Sequence, residues 1–217
     1  MSISEAKLAE RKEHLQKTAY ELYSTRTIEE VSNQDVADAS GYGIATVYRY
    51  FTNKNNMVVA ASVWGWKQFA TENRNKRARI NLLKKRAIDR LNFFLDSFLD
   101  LYTDHKDLLR FNQMFNLYIQ SSGMSVEELD PYERMIAKLE AEFHDLYEAA
   151  KKDGTVRTDI SEAVMFSTIL HLMLASVTRY AVGLVYKPKK GFNDIKELKR
   201  LKEMMLKEFS SNDPPKG

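Results

Sequence analysis

Only 8 glycines and 4 prolines are spread through 217 residues. Those two residue types supply most tight turns, so a chain this poor in them is driven away from a many-stranded sheet and toward long helices. The apolar pattern agrees. Leu8, Leu15, Ala19, Leu22 and Tyr23 form one stripe over 5–24, spaced as a helix requires. Ile80, Leu83, Ala87, Leu91, Phe94, Leu95, Phe98 and Tyr102 keep the same period and predict one helix beginning near Arg77. Further helices are expected over 107–120, over 127–152 with Pro131 in the first turns, over 161–186 and over 194–209. The fold class is therefore all-α, with about nine helices in total.

Composition narrows the chemistry. Apolar residues make up 44% and charged residues 29%, a balance suited to a globular core. There is no cysteine, which removes disulfides, thiolate metal sites and cysteine nucleophiles and fits a cytoplasmic protein. The polar N-terminus is unlike a signal peptide. The apolar run over 163–186 contains His171 and Arg179, and an arginine inside a membrane span costs about 2.5–3.5 kcal/mol. Burial in a bundle or between subunits suits that run better than a membrane. His14, His105, His144 and His171 lack the spacing of metal ligands. No glycine-rich phosphate loop and no nucleophile elbow occurs. No catalytic residues, metal or cofactor are expected, and the chain is not read as an enzyme.

Net charge is only +3. Residues 67–86 hold eight cations (Lys67, Arg74, Lys76, Arg77, Arg79, Lys84, Lys85, Arg86) against Glu72 alone. Such a run reads as a solvated helix junction or as a basic shoulder attracting phosphate.

The densest local signals lie between residues 32 and 54. Ser32-Asn-Gln-Asp35 has the form of a capping box opening a short helix over 33–39, and Gly41 stops it. After Gly43 a second short helix is expected over 44–51, and another begins at Lys54. Two short helices joined by a glycine turn are what a helix-turn-helix needs, with the second helix entering the DNA major groove. Ile44, Ala45, Thr46, Tyr48 and Arg49 suit a groove-facing surface, while Val47 and Phe51, four apart, would turn back to the core. Tyrosine can pack its ring while its hydroxyl reaches a phosphate. A helical hairpin showing its tyrosines to a protein partner would meet the same pattern.

The stretch 22–54 resembles the DNA-binding segment of the tetracycline-repressor (TetR) family of bacterial regulators. The likeness rests on Leu22-Tyr23, Ser32 through Asp35-Val36-Ala37, Gly41, Thr46-Val47-Tyr48-Arg49-Tyr50-Phe51 and Asn53-Lys54. It implies a helix-turn-helix domain over 1–53 and a helical effector-binding and dimerisation domain over 54–210; the Pro-Pro-Lys-Gly ending predicts a disordered tail over 211–217. The resemblance also implies that Thr46, Tyr48 and Lys54 contact phosphate. Ile44 and Arg49, with the backbone near Ala45, would lie closest to the bases, and Asn33 and Gln34 would touch the flanking backbone. Thr27, Asn33 and Gly43 depart from the family pattern. Gly43 stands where a serine often caps the recognition helix, a substitution that costs a few tenths of a kcal/mol.

The same resemblance implies a homodimer through the helices over 161–186 and 194–209, bound to a double-stranded operator and released by a small effector. Phe94, Phe98, Phe111, Met114, Phe115, Tyr118, Phe143, Tyr147 and Met165 are the candidate pocket residues, and their character suggests an apolar effector. The alternative is a DNA-binding or coregulator protein of this fold controlled by a protein partner.

Overall fold

The computed structural model describes residues 3–184 and 186–211. Nine α-helices run through the described residues: α1 Ile3–Thr25, α2 Asn33–Ser40, α3 Ile44–Tyr50, α4 Lys54–Arg79, α5 Ala87–Asp104, α6 Lys106–Ser122, α7 Val126–Asp153, α8 Glu162–Val182 and α9 Asp194–Phe209, with one 3-10 turn at Leu82–Lys84. An isolated antiparallel bridge joins Val156 to Ser210. The chain forms two compact units, Met1–Ala70 with Arg110–Met135, and Thr71–Leu109 with Ile136–Gly217. The helices α4, α6 and α7 each contribute residues to both.

In the first unit, α1 supplies Leu15, Ala19 and Tyr23 to a core that also buries Ile28, Val36, Val47, Phe51 and Val58. The Tyr23 ring stacks on Phe111 of α6 at 6.0 Å, and Tyr20 meets Phe111 edge-on at 5.5 Å. These aromatic contacts tie the three short N-terminal helices to a longer helix. Apolar burial at about 25 cal/mol per Å² makes such a partner necessary for a unit this small.

In the second unit, α5 buries Leu91, Leu95, Phe98 and Tyr102, a row at helical spacing. Facing it, α8 buries Met165, Ile169, Met173 and Val177, and α9 buries Leu198, Met205 and Phe209. The start of α9 is fixed twice. Asn193 caps it by accepting the Lys196 amide, and Asp194 accepts the Tyr102 hydroxyl.

Two sequence expectations are corrected here. The periodic run from Arg77 to Tyr102 is not one helix: α4 stops at Arg79, Asn81 takes a left-handed conformation (φ 50°), and α5 starts afresh at Ala87. Ile80 and Leu83 are therefore exposed, at 44% and 63%. The cause is tertiary. Asp153 accepts the Ala87 amide at 2.7 Å, and the Thr155 hydroxyl oxygen accepts the Ile88 amide at 3.1 Å. Arg90 donates to the carbonyls of Lys85 and Leu83. Partners distant in sequence take the groups that a continuous helix would pair internally. The helix expected over 161–186 also ends early, at Val182, where Gly183 follows at φ 132°. The expected tail over 211–217 lies outside the described residues except for Ser211, whose amide donates to Thr155 O at 3.1 Å.

Burial works to raise the Asp153 carboxyl, but the bonds from Ala87 and Thr155 overcome it and hold the group below the usual carboxylate range. Its native pKa is thus depressed, so its stabilising contribution is complete above the unfolded value, about 3.9, and is lost as pH falls through the native value. Asp153→Ala should lower unfolding free energy by about 1–2 kcal/mol at neutral pH, as the loss of a helix cap does. Urea denaturation at pH 7 and again near pH 3 should show the gap between variant and wild type narrowing in acid.

Candidate nucleic-acid interface

The short helix α2 is built by its caps. Ser32 accepts the Asp35 amide at 3.1 Å, and Asp35 accepts the Ser32 amide at 2.7 Å. This is the reciprocal box read from the sequence, and the Ser32 hydroxyl and amide, aided by Arg26, hold the Asp35 carboxyl below its ordinary range. At the other end Gly41 adopts φ 73°, and its amide donates to Asp38 O. An L-residue pays about 1–2 kcal/mol for that conformation, so glycine is what allows the chain to turn tightly between α2 and α3.

Gly43 is the N-cap of α3, in extended conformation with no side chain to bond the first amides. The helix is held instead by what it buries. Val47 is fully buried and Phe51, just after the helix, is 2% exposed. Tyr50 lies half-buried at the edge.

With that face committed, Ala45, Tyr48 and Arg49 are left to water, Tyr48 at 54% exposure, and Ile44 and Thr46 are partly exposed. The outward surface has a small residue for close approach, a hydroxyl, an aromatic with a polar tip and a guanidinium. A hydroxyl or phenol can donate to phosphate oxygens, and a guanidinium can bond a guanine edge through two donors.

The flanking candidates have more partners of their own. Gln34 is exposed and donates to Asp38 at 2.6 Å. Asn33 is half-buried, and its side-chain oxygen is buried without a partner. The Lys54 ammonium donates to Glu29 O at 3.1 Å, and burial moves its pKa down from the usual lysine value. An ammonium has three donors, so that single bond aims the group and leaves two free for an anion.

The candidate pocket residues divide between the two units. Phe111, Met114, Phe115 and Tyr118 belong to the first, and Phe94, Phe98, Phe143, Tyr147 and Met165 to the second. Phe111 is core beneath Tyr20 and Tyr23, and Phe115 packs on Tyr132 at 5.0 Å. Met114 is half-buried. The Tyr147 hydroxyl donates to Thr158 O and Ile160 O, pinning the segment before α8. In the second unit Phe94 meets Phe98 at 5.6 Å and Phe143 at 5.4 Å, and Phe143 meets Phe166 at 5.4 Å. Phe166 was not among the residues read from the sequence, since nothing in its local pattern separates it from ordinary core.

Sequence reasoning also missed a polar cluster at the start of α4. Asn53, Asn55, Tyr118 and Glu128 are joined by hydrogen bonds there. The Ser125-x-x-Glu128 spacing of a capping box was its one legible trace.

Residues 15–61 match the model of the bacterial regulatory proteins of the tetR family. That stretch covers the second half of α1 through the first turns of α4. No curated protein sequence matches the chain. Among solved structures, a bacterial regulatory protein in the tetR family from Rhodococcus RHA1 is similar, with a TM-score of 0.62 at 16% identity, over 94% of this chain and 98% of that one. The ketosteroid transcriptional regulator KstR2 of Mycobacterium tuberculosis gives a TM-score of 0.60 at 15% identity, over 93% and 96% of the two chains. AibR, solved in complex with isovaleryl coenzyme A and operator DNA, gives 0.60 at 17% identity, over 90% and 98%. At these identities the likeness is one of fold.

The two glycines of the turn should respond oppositely to substitution. A Cβ on Gly43 would meet nothing within 4 Å, and its backbone is ordinary. Gly43→Ser should therefore raise stability by a few tenths of a kcal/mol by supplying the absent cap. Gly41→Ala should lower it by about 1–2 kcal/mol through its left-handed backbone alone. Thermal unfolding of the two variants beside wild type reads both signs.

Proposed function

We propose that this chain, a member of the TetR family of bacterial transcriptional regulators through residues 15–61, is a homodimeric repressor released from its operator by a small, mainly apolar effector. One observation carries the reading: α3 buries Val47, with Phe51 behind it, and turns Ala45, Tyr48 and Arg49 outward. In this account Thr46, Tyr48 and Lys54 hold phosphates, while Ile44, Arg49 and the backbone at Gly43 and Ala45 approach the bases. Asn33 and Gln34 meet the flanking backbone. Residues 1–53 serve DNA and residues 54–210 serve effector and partner subunit.

Dimerisation is supported by α8. The helix is long and apolar enough to cross a membrane by length and composition, yet one row packs into the second unit's core. The opposite row leaves Val164, Leu172 and Val182 about half exposed, at 54%, 48% and 50%, and α9 leaves Met204 at 58%. An apolar surface of this kind on a helix pair is suited to a two-fold subunit contact. Two copies would then carry their α3 helices to major grooves about 34–36 Å apart, or a multiple of that.

The aromatic group of Phe94, Phe98, Phe143 and Phe166 supports an apolar effector, since such rings offer large contact area with few polar demands. An effector favouring a conformation with wrongly spaced α3 helices would weaken operator binding. Coupling of about 1–3 kcal/mol is usual for such linkage.

Mobility shift on the DNA flanking the gene, with a salt titration, tests the DNA roles. Lys54→Ala should weaken binding to every sequence alike and lower the salt slope by about 1. Arg49→Ala should chiefly relax base preference, at about 1–3 kcal/mol. Equal losses on specific and random DNA for both variants would remove these roles. For the dimer, Leu172→Glu should yield a monomer in sedimentation velocity while leaving helical content intact.

A further inference from the structure

The start of α4 is held by a carboxylate from another helix. Ser125 and Glu128 cap α7: the Ser125 amide donates to Glu128 Oε2 at 2.9 Å, and the Glu128 amide donates to Ser125 Oγ at 3.2 Å. The carboxylate so fixed accepts two more bonds. Asn53 Nδ2 reaches Oε1 at 2.8 Å, and Asn55 Nδ2 reaches Oε2 at 3.2 Å. Each asparagine is also held by its other end. Asn53 Oδ1 accepts the Asn56 amide at 2.9 Å and so caps α4, while Asn55 Oδ1 accepts the Tyr118 hydroxyl from α6 at 2.8 Å. The carboxylate can only accept and the Asn56 amide can only donate, which settles how both Asn53 and Asn55 are turned.

Between these two clamped residues stands Lys54. By charge alone, a carboxylate bonded to both neighbours of a phosphate-binding lysine opposes DNA. A chain that keeps one there gains something else from it. We infer that Glu128 is a positioning residue for DNA binding, which sets Lys54 toward phosphate by holding Asn53 and Asn55 on either side of it. The inference rests on the DNA-binding reading above and names one residue through which α7 acts on the first turn of α4.

The positioning role and the charge effect predict opposite signs. Glu128→Ala should weaken binding to the flanking duplex and to a mixed-sequence duplex about tenfold, as the loss of bonds to a charged group implies. Its salt slope should equal that of wild type, because Lys54 still reaches its phosphate in the complex and only the cost of ordering it rises. Glu128→Gln keeps one acceptor oxygen and should fall between the two. Glu127→Ala removes the same charge from the neighbouring position and should bind as wild type or slightly tighter. Asn55→Ala should add little in the Glu128→Ala background, as expected of residues acting through one another. Tighter or unchanged binding by Glu128→Ala or Glu128→Gln overturns the inference.

Hydrogen exchange without DNA provides an independent reading. Glu128→Ala should speed exchange at the amides of residues 55–58 while the amides of α8 keep their protection. Unchanged exchange at 55–58 also overturns the inference. Failure of the wild type to bind either duplex would instead bring down the regulator reading, and the positioning role with it, even where the exchange change is seen.

Discussion

The burial of Val47 and Phe51 decides what α3 can do. A helix of 7 residues has too few internal bonds to stand alone. It exists because two apolar side chains four positions apart enter a core built by α1, α2 and the start of α4. Once they are inside, the geometry of the helix leaves no choice about Ala45, Tyr48 and Arg49. A surface of this composition is unsuited to further packing and well suited to a polar groove lined with phosphates. The tyrosines concentrated around the turn follow from the same constraint, since Tyr50 packs while Tyr48, two residues earlier, faces out.

A second theme is that helix starts are completed from afar. Arg86 offers α5 no side-chain cap, so Asp153 and Thr155 supply the acceptors. The first turn of α4 has its own cap in Asn53, but that cap is held by Glu128. In both cases a carboxylate from the end or start of α7 fixes another helix's first turn. Unpaired helix-end amides demand acceptors, and a fold made only of helices has many such ends to satisfy. One consequence is that α7 is bonded to the first turns of helices in each of the two compact units.

How much was legible in the sequence depended on whether the physics was local. The box of Ser32 and Asp35, the stop at Gly41 and the four-residue spacing of Val47 and Phe51 are patterns contained within a few residues, and all could be read directly. The break at 80–86 could not. Ile80 and Leu83 continue the apolar period perfectly well, and only the capture of the Ala87 and Ile88 amides by Asp153 and Thr155 ends the pattern. The cluster of Asn53, Asn55, Tyr118 and Glu128 escaped for the same reason, because each of its bonds joins residues more than sixty positions apart and its members are unremarkable singly. The helical phase of Tyr118 makes it a candidate pocket residue, and nothing in that phase shows that its hydroxyl bonds Asn55. Ser125 and Glu128 did carry a readable spacing, though nothing in that spacing says which helix the carboxylate serves.

The absence of cysteine makes the most direct test clean. A single thiol introduced by Ala45→Cys, on the exposed face of α3, can carry a photoreactive crosslinker without a competing site. Illumination in the presence of the duplex flanking the gene should join residue 45 to nucleotides in the major groove. The same label at the exposed Ala141 of α7 should give no adduct. Equal labelling from both positions, or none from residue 45 at concentrations where the protein shifts the duplex, would contradict the account.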